Sequence, residues 1–172
     1  MTSDLNTLCW NVRGLNSTAC CLAVHETLKS TTALACFLGG YRLNNFVHKP
    51  AQGTRGGIII LWNDNMTLLS DVQIGNFSLS AMVTIRDSGT MFLLTSVYGP
   101  SQRTQKVAFL QHIRAIKPPP GINWLLLGDF NFIYRARDKN DTNLNLRPMR
   151  QFRAALDYCK LKEIHMQNRK FT

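Results

Sequence analysis

Several apolar runs in the 172-residue chain close on a residue that can bind a cation or a phosphate. Asn11 ends the run beginning at Leu5, Glu26 follows Ala19–His25, Tyr98 closes the run from Thr90, and Asp129 with Asn131 ends the segment that starts at Trp124. Polar residues placed directly after buried strands gather at one edge of a sheet, where α/β proteins place their ligands. Two carboxylates and two amides meeting there suit a hard cation such as Mg2+, which takes oxygen ligands and shares them with a phosphate. A phenol at a strand end can donate to a phosphate oxygen. The reaction class suggested by this set is metal-assisted phosphoester hydrolysis.

Each residue also has a plain structural reading. Asn11 before Val-Arg-Gly serves as a turn former through its side chain, and Glu26 suits a helix start, where negative charge is favoured. Tyr98 can cap the core, and Asp129-Phe-Asn can be a turn leaving a strand. Burying Asp129 unpaired behind its apolar run would cost several kcal/mol, so a partner is expected for it. The four histidines show no metal-site spacing, and none is assigned to catalysis. The combination, and no single member, carries the chemical reading.

The elements that must position these residues follow from local patterning. Leu5–Val12 and Tyr41–Val47 are expected strands. From residue 58 onward come Ile58–Trp62, Met66–Ile74, Phe77–Arg86 and Thr90–Tyr98, joined by two to four residues each, which predicts a meander of antiparallel neighbours. The segment from Gln105 to Ile116 predicts a helix with a stripe of Val107, Leu110, Ile113 and Ile116, ended by Pro118-Pro-Pro-Gly. Pro148–Leu161 predicts a second, with Met149, Phe152, Leu156 and Cys159 on one face. Between them, Trp124–Phe130 reads as a strand buried on both faces. The sum is a mixed sheet or sandwich with helices outside.

Net charge is +10, and it is unevenly spread: residues 1–102 carry +1 and residues 103–172 carry +9. Such a basic part suits a polyanion, nucleic acid above all, through counterion release, and it also suits a plain solvated face. The length fits one domain spanning residues 1–172. No stretch approaches the roughly 20 apolar residues of a membrane span, and the start lacks a secretory pattern, so an intracellular protein is expected, nuclear if it acts on DNA. The five cysteines form no CxxC pair and are expected as free, mostly buried thiols. Four glycosylation-type triplets mean little without an export signal.

The set "CWNVRGLN", "HET", "GTRGGIIILW", "SVYGP" and "GDFNFI", in this order, resembles the endonuclease/exonuclease/phosphatase superfamily. More narrowly, it resembles the endonuclease domain of plant LINE-type non-LTR retrotransposons. The resemblance implies a four-layered α/β sandwich of deoxyribonuclease I type that cuts DNA with Mg2+ or Mn2+. It implies that Asn11 contacts the scissile phosphate or a metal-bound water, that Glu26 is the principal metal ligand, and that Tyr98 bonds a phosphate oxygen. Asp129 would orient or deprotonate the attacking water, with Asn131 fixing Asp129 or the phosphate. Only Arg13 to Thr18 stand where the family has a crossover helix, and the family's closing Ser-Asp-His strand has no counterpart. The expectation is therefore an incomplete domain, lacking that helix and the C-terminal strands. Its activity is expected to be impaired, or absent with nucleic-acid binding at most. DNA is the expected partner, with no membrane involved.

Overall fold

The computed structural model describes residues 43–51, 57–135 and 146–164. Asn11, Glu26, the strand expected at residues 5–12 and every cysteine except Cys159 lie outside the described residues. The described elements are β1 (Asn45–Lys49), β2 (Ile58–Trp62), β3 (Thr67–Ile74), β4 (Ser78–Ile85), β5 (Met91–Tyr98), α1 (Arg103–Ala115), β6 (Trp124–Asp129) and α2 (Leu146–Tyr158). Mixed α/β architecture is thus present, with two sheets and two helices among the described residues. By its contacts the chain divides into two compact units. The first comprises residues 1–98 and 120–129, the second 99–119 and 130–172.

In the first unit β1 and β2 form an antiparallel pair, and β3-β4-β5-β6 form a four-stranded sheet. The β3-β4-β5 meander follows from tight turns. Gly75 N donates to Ser78 O at 2.9 Å and Gly89 N to Ile85 O at 2.8 Å, and Gly89 supplies a φ of +66° that a side chain resists. β6 joins β5 in parallel, as a connection through a helix requires. Ile58 and Ile60 of β2 and Leu79 of β4 form a buried cluster, with Val47, Trp62, Leu69, Leu94 and Tyr98 packed against it. On the opposite face of β4 and β5 the buried groups are small or polar. Ser80 Oγ and Thr95 Oγ1 are 3.0 Å apart, and Trp124 Nε1 donates to Thr95 Oγ1 at 2.9 Å, so the buried hydroxyls are satisfied.

Two expectations for this unit are corrected. The short link from β2 to β3 predicts antiparallel neighbours, yet the two strands lie in different sheets. The cause is Asp64. Its carboxylate accepts from the side-chain amides of Asn44 and Asn45, the latter at 2.9 Å, and its N–H donates to Asn44 Oδ1 at 3.0 Å. These bonds fasten the end of β2 to the start of β1. Asn63 O then accepts from Met66 N and Thr67 N at 3.1 and 2.9 Å, turning the chain away into the next sheet. The second correction is that β6 is half-buried along its whole length and not enclosed on both faces. The strand expected at 41–47 is found at Asn45–Lys49.

The second unit is built around aromatic rings. Phe109 of α1, Phe130, Phe132 and Phe152 of α2 form a chain of contacts with centroids 4.9–6.4 Å apart, distances at which such pairs are attractive beyond their area. The stripe of α1 keeps Leu110 and Ile113 buried as expected, with Ile116 half-buried, but Phe109 takes the place expected for Val107, which is 53% exposed. Of the expected stripe of α2, Met149, Phe152 and Cys159 are buried and Leu156 is half-buried, with Ala155 buried beside them. Cys159 is a free, buried thiol whose ionisation burial pushes up, against a smaller opposing pull from Lys117 and Arg114. No helix among the described residues is long and apolar enough to cross a membrane.

Candidate active site

Tyr98 and Asp129 are the last residues of β5 and β6, and the parallel register sets their Cα atoms opposite one another. Adjacent strands run about 4.8 Å apart, so a tyrosine and an aspartate from distant motifs become neighbours at one end of the sheet. Gly128 permits this. Its φ is +129°, and a Cβ there would stand 2.1 Å from Val97 O, a backbone atom that cannot give way. That is the physical content of the glycine in "LLLGDF". Both Tyr98 and Asp129 are half-buried, and Tyr98 packs against the Ile58–Ile60–Leu79 cluster, which supports its reading as a core cap.

In the second unit Asn131 is tied at both of its amides. Its Nδ2 donates to Gly99 O at 2.7 Å, and its backbone oxygen accepts from Lys106 Nζ at 2.8 Å. Its φ of +51° is left-handed, a conformation that asparagine tolerates better than most residues. Gly99 is required for a steric reason, since a Cβ there would lie 2.0 Å from Phe130 O. Lys106 Nζ also sits 4.6 Å from the centroid of Phe132. Burial, and then the charge of Arg103, hold the Lys106 ammonium below its ordinary pKa.

The structure therefore pairs Tyr98 with Asp129 and fixes Asn131, while Asn11 and Glu26 fall outside the described residues. Lys106 went unnoticed in the sequence, being 25 residues from the asparagine it holds. Its one local signal is position: α1 carries Arg103 and Lys106 and no acid in its first turn, where the helix dipole disfavours positive charge. Asp129 and Tyr98 supply oxygen donors of the kind a hard dication accepts. Among the described residues no three His, Cys, Asp or Glu side chains gather as a metal site, and Glu26, the expected principal ligand, is not among those residues.

The chain belongs to the endonuclease/exonuclease/phosphatase family, whose model matches residues 8–159. That match runs through both compact units. No curated protein matches the chain. Among solved structures, the human Nocturnin catalytic domain with bound sulfate is similar at 14% identity and a TM-score of 0.43, over 65% of this chain and 56% of that one. A D. rerio TDP2 humanized by 14 mutations is similar at 19% identity and 0.49, over 72% and 61%. A mannosyl-6-phosphatase of Bacteroides thetaiotaomicron is similar at 14% and 0.41, over 63% and 48%. The chain thus spans about half to three-fifths of the length of these structures.

Proposed function

We propose that the chain is a divalent-metal-dependent phosphodiesterase domain, a DNA endonuclease of retrotransposon origin, forming one partial family domain over residues 1–172. The observation that carries this reading is the family match over residues 8–159, which includes the motif ends Tyr98 and Asp129 held opposite one another. Asp129 accepts a proton from, or orients, the water that attacks phosphorus. Tyr98 donates its phenolic hydrogen to a phosphate oxygen. Asn131, whose Nδ2 is held by Gly99 O, and Asn11 are assigned to the phosphate. A Mg2+ or Mn2+ ion held by Glu26 would polarise the phosphoryl oxygen and stabilise charge building there.

The test is nicking of supercoiled plasmid in Mg2+ by the purified chain beside Asp129→Ala and Glu26→Ala. Loss of a positioned base or an electrostatic partner of this kind lowers the rate by about a hundredfold or more, so both variants fall to background, as does the wild type with a chelator. Nicking that survives chelation, or is equal in all three proteins, sinks the reading. A second reading, a catalytically silent remnant that binds nucleic acid, is favoured by the charge of the second unit. Its described residues hold ten Lys and Arg against two Asp and Glu. Steeply salt-dependent DNA binding without any nicking would select it.

A further inference from the structure

The C-terminal ends of α1 and α2 come together in the second unit, where Lys117 Nζ donates to Tyr158 O at 2.9 Å and Cys159 Sγ lies 3.7 Å from Ile113 O. The Tyr158 ring is placed against two cations, Lys117 Nζ at 4.9 Å and Arg114 Cζ at 5.8 Å from its centroid, and the residue is 60% exposed. Lys160 and Lys162 follow directly in the chain. A lysine capping the end of α2 complements the helix dipole, and Lys117 makes that bond with two further N–H donors on its ammonium. Among the described residues Arg114, Lys160 and Lys162 make no side-chain hydrogen bond or ion pair.

Two comparisons within the molecule show that this cluster is unusual. Tyr134 also carries two guanidinium groups, Arg135 and Arg153, each 5.3 Å from its centroid. There, Arg153 Nε donates to Tyr134 O at 2.7 Å, Arg135 pairs with Glu163 at 2.5 Å, and the ring is half-buried against Phe152. That cluster is internally satisfied, whereas Arg114 and Lys117 have no carboxylate partner among the described residues: of the two acids described in this unit, Glu163 pairs with Arg135, and Asp157, beside Tyr158 in the chain, pairs with neither cation. The second comparison is backbone. Leu161 N donates to Leu156 O and Lys160 N to Asp157 O at 3.0 and 2.9 Å, a helix ending whose left-handed position ordinarily belongs to glycine. Lys160 occupies it with φ +57°. A strained position filled by a cation instead of the unstrained residue points from structure to use.

We infer that this end of the helix pair is a docking surface for single-stranded nucleic acid, with Tyr158 stacking on an unpaired base and Arg114, Lys117, Lys160 and Lys162 holding the phosphates on either side. Exposed aromatics beside cations bind strands in this way, because every base offers a face to stack and the backbone supplies the charge. A duplex keeps its bases stacked inside, so the ring favours a strand over a duplex. The surface stands on the charge and geometry of the second unit and is independent of the catalytic reading.

The experiment is fluorescence anisotropy of a labelled oligothymidine titrated with the full chain in chelator, over a range of salt, so that cleavage plays no part. Tyr158→Ala is expected to weaken binding about tenfold, within the range seen for one base-stacking contact, while Tyr158→Phe binds like wild type. Arg114→Gln is expected to lower the salt slope by about 0.7, the contribution of one single-strand phosphate contact. Lys160→Gly is expected to move two readouts in opposite directions: it relieves the backbone and raises Tm by about 2–4 °C for a chain of this size, yet it weakens binding. A purely structural cluster would not separate them. Wild-type affinity in Tyr158→Ala and Arg114→Gln overturns the inference. So does equal affinity for a duplex of the same length, or for phosphatidylserine vesicles. Plasmid nicking that fails while these effects appear refutes the catalytic reading alone.

Discussion

Gly128 and Gly89 differ in backbone, φ +129° against the left-handed +66°, and in what surrounds them. Both have positive φ, but a Cβ on Gly128 would meet Val97 O at 2.1 Å, while nothing lies within 4 Å of one on Gly89. Gly89→Ala should cost about 1 kcal/mol, the penalty of a left-handed alanine. Gly128→Ala adds a clash with backbone that must part the β5–β6 pair, and a loss of at least ~2 kcal/mol is expected. Urea unfolding of the two variants measures the difference, and equal costs would mean that β6 can shift without penalty. Lys106 yields a prediction with a sign. Its pKa is lowered in the folded state, so between that lowered value and 10.5 the unfolded chain binds more protons and stability rises with pH. Lys106→Met should lose about 1 kcal/mol at neutral pH through the bond to Asn131 O and should flatten that rise. A variant whose stability parallels the wild type from pH 8 to 10.5 would contradict it. The motif letters of Tyr98, Asp129 and Asn131 were legible in sequence because each ends an apolar run. The reasons for Gly99 and Gly128 were not, because a close approach between distant strands leaves no local signature.

At the scale of the element, short turns made the β3-β4-β5 meander readable, and the same rule misplaced β2. A short link promises pairing only where nothing else claims the strand end, and Asp64, bound to Asn44 and Asn45, claims it by a contact 20 residues away in sequence. The phase of α1 was ambiguous for a different reason. Apolar residues at spacing three drift around a helix of 3.6 residues per turn, so Val107 and Phe109 competed for the buried face and the larger ring took it. β3 shows how an edge is managed. Among the described residues it is unpaired on one side, it exposes Leu68, Val72 and Ile74 at 42–59%, and its register shifts between Ser70 and Gln73. Asp71 sits in that shift with φ +50°, placing charge and a kink on an edge otherwise fit to recruit other strands. Asp71→Gly should keep the kink and stabilise by about 0.5–1 kcal/mol. Asp71→Val should destabilise by about 1–2 kcal/mol, since a branched side chain resists left-handed backbone, and should also aggregate. Light scattering after dilution from urea distinguishes the two. A Val variant that stays monomeric would show that the kink does not guard the edge.

Over the whole molecule, each compact unit is assembled from two separated pieces of chain, which passes between the units after Tyr98, after Pro119 and after Asp129. The charge segregates with this division: the described part of the first unit holds two Lys and Arg against four Asp and Glu, and that of the second holds ten against two. Sequence position alone showed the basic C-terminal half but not that residues 120–129, with Asp129, return to the first unit, because strand pairing and not chain order decides membership. The threading has a thermodynamic consequence. β6 can pair with β5 only when both chain crossings flanking it are in place, and the aromatic cluster joins Phe109 from one piece to Phe130 and Phe152 from the other. Neither unit can therefore be completed from one continuous segment, and loop-closure entropy penalises completing one while the other is open. The expected result is a single cooperative urea transition. Two probes separate the units. Trp10, Trp62 and Trp124 all belong to the first, so tryptophan emission follows that unit, while amide-exchange protection read peptide by peptide over α1 and α2 gives a helical signal that belongs to the second. Coincident midpoints and slopes would show that the interleaved chain folds as one. A helical signal lost at lower urea than the tryptophan change would show that the second unit unfolds while β5 and β6 remain paired, and it would separate the basic unit from the sheet bearing Tyr98 and Asp129.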